Sequence, residues 1–117
     1  MGNPIFQFDI GCKEKEPTLK FYTELFDWEA EQFGPYSHKL NLGSNSTLGG
    51  FITSLGHEPY NYVMLYIVVD NIKETIAKAE GLGGSVVVSE TDAHGQGSFA
   101  WIKDPAGNLL GLWKHNS

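Results

Sequence analysis

The sequence predicts an α+β fold: two βαβββ modules forming a curved, cup-like mixed sheet with the helices outside. Three observations predict it. Hydrophobic periodicity gives the order strand, helix, strand, strand, strand, and that order occurs twice in 117 residues. Each repeat is a supersecondary unit of about 55 residues that cannot bury its own apolar face, so it must pair with its twin. A connector containing Gly and Pro, residues 56–61, separates them. The first module therefore covers residues 1–55 and the second residues 56–117 of a single domain.

In the first module IFQFDIG alternates, with Phe6, Phe8 and Ile10 on one face and Gln7 and Asp9 on the other, as a half-buried strand requires. Pro17 opens a helix, where its fixed φ and missing N–H are tolerated. Leu19, Phe21, Tyr22, Leu25 and Phe26 follow at helical spacing. Residues 28–33, 36–42 and 48–53 read as strands, with Gly34-Pro35 turning the chain between the first two. In the second module residues 62–69 are β-branched and aromatic, which favours a buried strand. Asp70 or Asn71 caps a helix over 72–79, whose apolar side is Ile72, Ile76 and Ala79. Leu82-Gly83-Gly84 ends that helix. Residues 85–89, 98–103 and 108–113 complete the set, the last after the tight turn Asp104-Pro105-Ala106-Gly107.

Composition narrows the function classes. The net charge is −6, there is no arginine, and the eight lysines form no run, which argues against nucleic-acid binding. No apolar stretch approaches the length of a membrane span. The N-terminus lacks a basic region followed by an apolar core, so a cytoplasmic location is expected. The single cysteine, Cys12, rules out an internal disulfide and reads as a small buried filler. Gly83-Gly84 and Gly95 with Gly97 are turn glycines rather than a nucleotide fingerprint.

FYTELFDW (residues 21–28), VVDNIKETIAKAEGLGG (68–84) and DPAGNLLGLW (104–113), in that order, resemble the vicinal oxygen chelate superfamily of glyoxalases, bleomycin-resistance proteins and extradiol dioxygenases. The resemblance covers nearly the whole chain and implies one glyoxalase-like domain of paired βαβββ modules, often dimeric. It also implies four inward positions, on the first and last strand of each module, that hold a divalent metal in the family's metalloenzymes. Those positions fall on Gln7, Gly50, Met64 and Gly111, with a one-residue shift at Gly50 left open. Strand parity adds Asp9, Tyr66 and Trp113 to the same face, with Leu48, Ile52 and Leu109 around them.

One amide, one thioether and two glycines are a poor donor set for a hard divalent ion. The resemblance therefore implies a degenerate metal site and no cofactor, with a divalent metal as the alternative. It disfavours lactoylglutathione lyase activity, which needs a metal to polarise the substrate and a carboxylate to move the proton. Whether any reaction is catalysed stays open. On this alignment Gly111→Glu with Met64→His, together with Gln7, would rebuild part of a metal site.

Of the four histidines, His38, His57, His94 and His115, none falls on a ligand position; His94 lies in the glycine-flanked loop TDAHGQG. A displaced site using His38 and Asp9 would need a second histidine. Asp9 facing Met64, Tyr66 and Trp113 would have a raised pKa and act as a base or hold a cation; solvated at a strand end it would do neither.

Three functions remain. One is a homodimeric binding protein that takes a small organic ligand, aromatic or cationic, into the cup. The second is a metal-dependent lyase, isomerase or dioxygenase with relocated ligands. The third is a non-catalytic interaction module. A membrane or nucleic-acid partner is not expected.

Overall fold

The alternating residues of the first strand and the two helical stripes organise a structure of eight strands and two helices, seen in a computed structural model that describes residues 2–43, 48–54, 61–93 and 95–116. The chain divides into two compact units, residues 7–63 and residues 64–117 joined by the first six residues. The α+β class and the paired βαβββ modules are the observed architecture. Among the described residues no helix is long and apolar enough to cross a membrane.

In the first unit β1 (Ile5–Gly11) leads to α1 (Lys15–Phe26), β2 (Glu29–Phe33), β3 (Ser37–Asn41) and β4 (Gly49–Thr53). The strand order is β2-β3-β4-β1, with β1 parallel to β4 and the other pairs antiparallel. Pro17 lies within the first turn of α1, where its lost donor has no intrahelical partner anyway. Asp27 ends α1 in the left-handed region at φ 58, a conformation Asp tolerates better than most side chains. Ile10, Cys12, Leu40 and Ile52 form the buried cluster, and Phe8, Leu19, Tyr22 and Trp28 pack on it. These residues define the α1 side of the sheet.

In the second unit β5 (Val63–Val68), from Met64 onward, is followed by α2 (Ile72–Gly81), β6 (Ser85–Asp92), β7 (Gly97–Lys103) and β8 (Leu109–His115). The order is β5-β8-β7-β6, with β5 parallel to β8 and the remaining pairs antiparallel. Of the two expected caps, Asn71 serves: its Oδ1 accepts the Glu74 N–H at 3.0 Å. Gly83, at φ 98, lets the Gly84 N–H reach back to the Ala79 carbonyl at 2.8 Å and close the helix end. Val69, Ile72, Ala100, Ile102 and Leu112 form the core under α2. β6 runs three residues past the expected end, through Asp92, with two register irregularities along its pairing with β7. The turn before β8 is held by the Asp104 carboxylate, which accepts N–H groups from Ala106 and Asn108. The Asn108 side-chain amide, donating to Oδ2 at 2.8 Å, and then those backbone bonds draw its pKa below the usual carboxylate value.

Candidate functional site

In the first unit, the face of the strands away from α1 carries the charged candidate. Gln7 and Asp9 point there, and the register pairs Gln7 with Gly49 and Asp9 with Phe51. Asp9 is only 6% exposed, so a carboxylate has been taken out of water. Its Oδ1 accepts the Thr53 hydroxyl at 2.8 Å. That hydroxyl has one proton and spends it on Asp9, so the Ser37 hydroxyl, 2.9 Å away, donates to Thr53 in turn. The Tyr62 ring lies flat against Gly11, where a Cβ would come within 2.0 Å of Cε2, and its phenol is a second hydroxyl partner of Asp9. Burial nevertheless dominates: desolvation pushes the Asp9 carboxyl up to about 6, against the pull of Thr53 and Tyr62.

Gly50 does not join this group. It pairs with Phe8 and Leu40 on the α1 side, and a Cβ there would come within 2.3 Å of the Phe8 ring. The side of Gln7 and Asp9 holds Gly49 and Phe51 instead. Ile52, expected beside them, is also in the α1-side core. Leu48 is half-buried and borders a depression along β2 and β3. His38 pairs with Ile52, so the sheet separates it from Asp9 and the two cannot share an ion.

The strands of the second unit answer what the mid-strand glycine of DPAGNLLGLW makes room for. Tyr66, Gly111 and Trp101 are cross-strand partners on the face away from α2. A Cβ on Gly111 would lie 2.5 Å from Cδ1 and Cε1 of Tyr66, so the tyrosine ring occupies the space a side chain would need. The ring is fixed at its far end by the Trp101 Nε1–H, which donates to the Tyr66 hydroxyl at 2.8 Å. Met64, Tyr66 and Trp101 are all buried. Trp113, two residues on from Gly111, is half-buried and stacks on Phe6 at 5.7 Å between centroids. Phe6 thus belongs to the second unit's aromatic group rather than to the core of Phe8 and Ile10. The Trp113 Nε1–H donates to His115 Nδ1 at 2.9 Å, and Gly97 leaves space for the indole.

Within their own units, then, Gln7 and Asp9 share a face, and so do Met64, Tyr66, Gly111 and Trp113. These residues do not fit a hard divalent ion. Gln7 brings a neutral amide, Met64 a buried thioether, and the volume a carboxylate at 111 would fill holds an aromatic ring. Among the described residues no three His, Cys, Asp or Glu side chains cluster as a metal site. The double variant expected to rebuild one would have to expel Tyr66 first. His57 and His94 lie outside the described residues. Thr53, Ser37, Tyr62 and Trp101, the polar partners of the site, were not visible as such in the sequence, because each gains its role only through cross-strand register.

Comparison with known proteins fits this architecture. The model of a glyoxalase-like domain family matches residues 6–112. CFP32 of Mycobacterium tuberculosis, provisionally named a glyoxylase, is 28% identical over 119 residues, covering 92% of this chain and 44% of that protein. The anthracycline biosynthesis protein DnrV of Streptomyces peucetius is 24% identical over 134 residues, covering 92% of this chain and 45% of its own. The chain thus spans less than half the length of these relatives. Among solved structures, methylmalonyl-CoA epimerase of Streptomyces coelicolor superposes with a TM-score of 0.67 at 14% identity, covering 98% of this chain and 99% of that one. A glyoxalase/bleomycin resistance protein/dioxygenase superfamily member from Vibrio splendidus gives 0.64 at 11% identity, covering 98% and 100%. At such identity these two speak for the fold. With the family model matching most of its length, the chain belongs to the glyoxalase-like family of the vicinal oxygen chelate superfamily.

Proposed function

We propose that this chain is a metal-independent binding member of its family, which holds a small aromatic or cationic organic molecule and acts as a homodimer. The observation that carries this reading is the Tyr66 ring in the space beside Gly111. A protein that relied on a carboxylate there could not tolerate the ring, and a protein that binds an organic ligand gains an aromatic surface from it. Trp113, half-buried beside it, offers a π face, which attracts planar and cationic groups. In the first unit, Asp9 offers a charge of its own. With its pKa at about 6 it is mostly ionised at neutral pH, and a cation beside it would offset the cost of burying that charge.

The ligands of structural neighbours sharpen the choice. One methylmalonyl-CoA epimerase was solved with methylmalonyl-CoA, a polyanion. A chain with net charge −6 and no arginine repels such a molecule and favours a cation. DnrV, by its name, serves the biosynthesis of an anthracycline, which is an aromatic compound.

The test has two arms on the same purified protein. Elemental analysis after dialysis against Zn²⁺, Ni²⁺, Mn²⁺ and Fe²⁺ is expected to find far less than one metal per chain. A thermal-shift screen with aromatic amines and quaternary ammonium compounds is expected to find stabilising ligands, with the shift reduced in Asp9→Asn. Near-stoichiometric metal that survives dialysis would replace this reading with a metalloenzyme of relocated ligands. A screen without stabilising compounds would favour the interaction module.

A further inference from the structure

The two helices are covered very differently. α2 buries Ile72 completely, whereas no residue of α1 is buried. On α1 Phe21 is 57% exposed and Leu25 is 59% exposed; four residues apart, they share one flank of the helix. Beside that flank stands Val63, 72% exposed. Between them runs an open groove of about 420 Å³, lined by Pro17, Thr18, Phe21, Tyr22, Tyr62 and Val63. Large apolar side chains gathered on one surface mark an interaction site more often than scattered ones do.

We infer that this face is where a second copy of the chain docks, the two α1 helices running antiparallel across a twofold axis between Phe21 and Leu25. The inference rests on the homodimer proposed above and names its surface. Charge selects the partner. The chain as a whole carries −6, so two copies repel over most of their surfaces. α1 is different: Lys15, Glu16, Lys20 and Glu24 sum to zero. Lys20 and Glu24 lie next to Phe21 and Leu25 in sequence and share a flank. Antiparallel pairing about their midpoint sets Lys20 of each copy against Glu24 of the other, while parallel pairing would set like against like. The face is thus complementary to itself, as an isologous contact requires.

Size sets the strength. A face built on the flank of one helix sits at the low end of specific interfaces, so association should be weak, with Kd on the order of 10–100 µM.

Sedimentation velocity from about 1 µM to about 500 µM, spanning that Kd, tests the inference. The wild-type chain should shift from monomer to dimer across the range. Phe21→Ser with Leu25→Ser, both exposed positions, should weaken association at least about tenfold, the equivalent of 1.4 kcal/mol, with an unchanged far-UV spectrum. Lys20→Glu or Glu24→Lys alone should also weaken it, and the two together should restore it. That restoration is a signature no other face would give. A wild-type chain that stays monomeric throughout would overturn both the homodimer and this surface. A dimer indifferent to all four substitutions would overturn the surface alone. Ligand binding, read by thermal shift, is scored separately from either outcome.

Discussion

Replacing Asp9 by Asn should stabilise the protein at neutral pH and do little at acid pH. The folded pKa of Asp9 is about 6, against 3.8 for a free carboxylate, because burial penalises its charged form. A carboxyl raised in this way contributes its full favourable balance below pH 3.8, where both states are protonated. It loses that balance as pH rises through 6, where the folded state is forced to ionise in a dry environment. The difference of 2.2 between those two values, at 1.36 kcal/mol per unit, is an upper figure of about 3 kcal/mol. Asn keeps an acceptor for the Thr53 hydroxyl and cannot ionise. Urea denaturation of both proteins at pH 4, 6 and 7.5 measures the effect. The stability of Asp9→Asn minus that of wild type should climb by about 2–3 kcal/mol from the lowest to the highest pH, in line with the linkage relation. Other acids titrate alike in both proteins and cancel. A difference that stays flat with pH would show that Asp9 is solvated as an ordinary strand-end carboxylate.

Four further outcomes follow from the structure. Gly111→Ala puts a methyl 2.5 Å from the Tyr66 ring and should cost about 1–3 kcal/mol in urea unfolding. Gly111→Glu with Met64→His should unfold more easily still and retain no more Zn²⁺ or Ni²⁺ after dialysis than the parent. Tyr66→Phe takes from Trp101 the hydroxyl its indole N–H bonds to, which should cost about 1–2 kcal/mol and change the near-UV signal of the tryptophans. Asn71→Ala deletes the cap of α2 and should cost about 1 kcal/mol, with a matching fall in the melting temperature.

The parts of this fold that could be read from the chain are those set by local chemistry. Alternation marked β1, helical stripes marked α1 and α2, and Gly83 marked a helix end because only a residue free to adopt positive φ closes it easily. The parts that could not be read are those set by pairing. Gly49 and Gly50 are identical in sequence terms, yet one shares the side of Gln7 and the other lies under Phe8; a shift of one residue in the β1–β4 register exchanges them. Phe6 continues the alternation of Phe8 and Ile10, and the pattern does not reveal that the chain's first six residues join the second unit, where Phe6 meets Trp113.

Gly111 shows the limit most sharply. A glycine inside a strand says that something needs the space, and the resemblance says what the metalloenzymes carry there, but neither says what fills it in this chain. A glycine left by a lost ligand and a glycine required by a neighbour have the same sequence. The cross-strand partner decides between them: Tyr66 sits directly opposite, its hydroxyl takes the bond from Trp101, and the ring has one place to lie. A side chain at 111 and the Tyr66 ring thus exclude one another, since a Cβ there would lie 2.5 Å from the ring. Building a metal ligand at 111 would require changing Tyr66 together with Gly111, and a variant that changes only the glycine measures the ring rather than the metal.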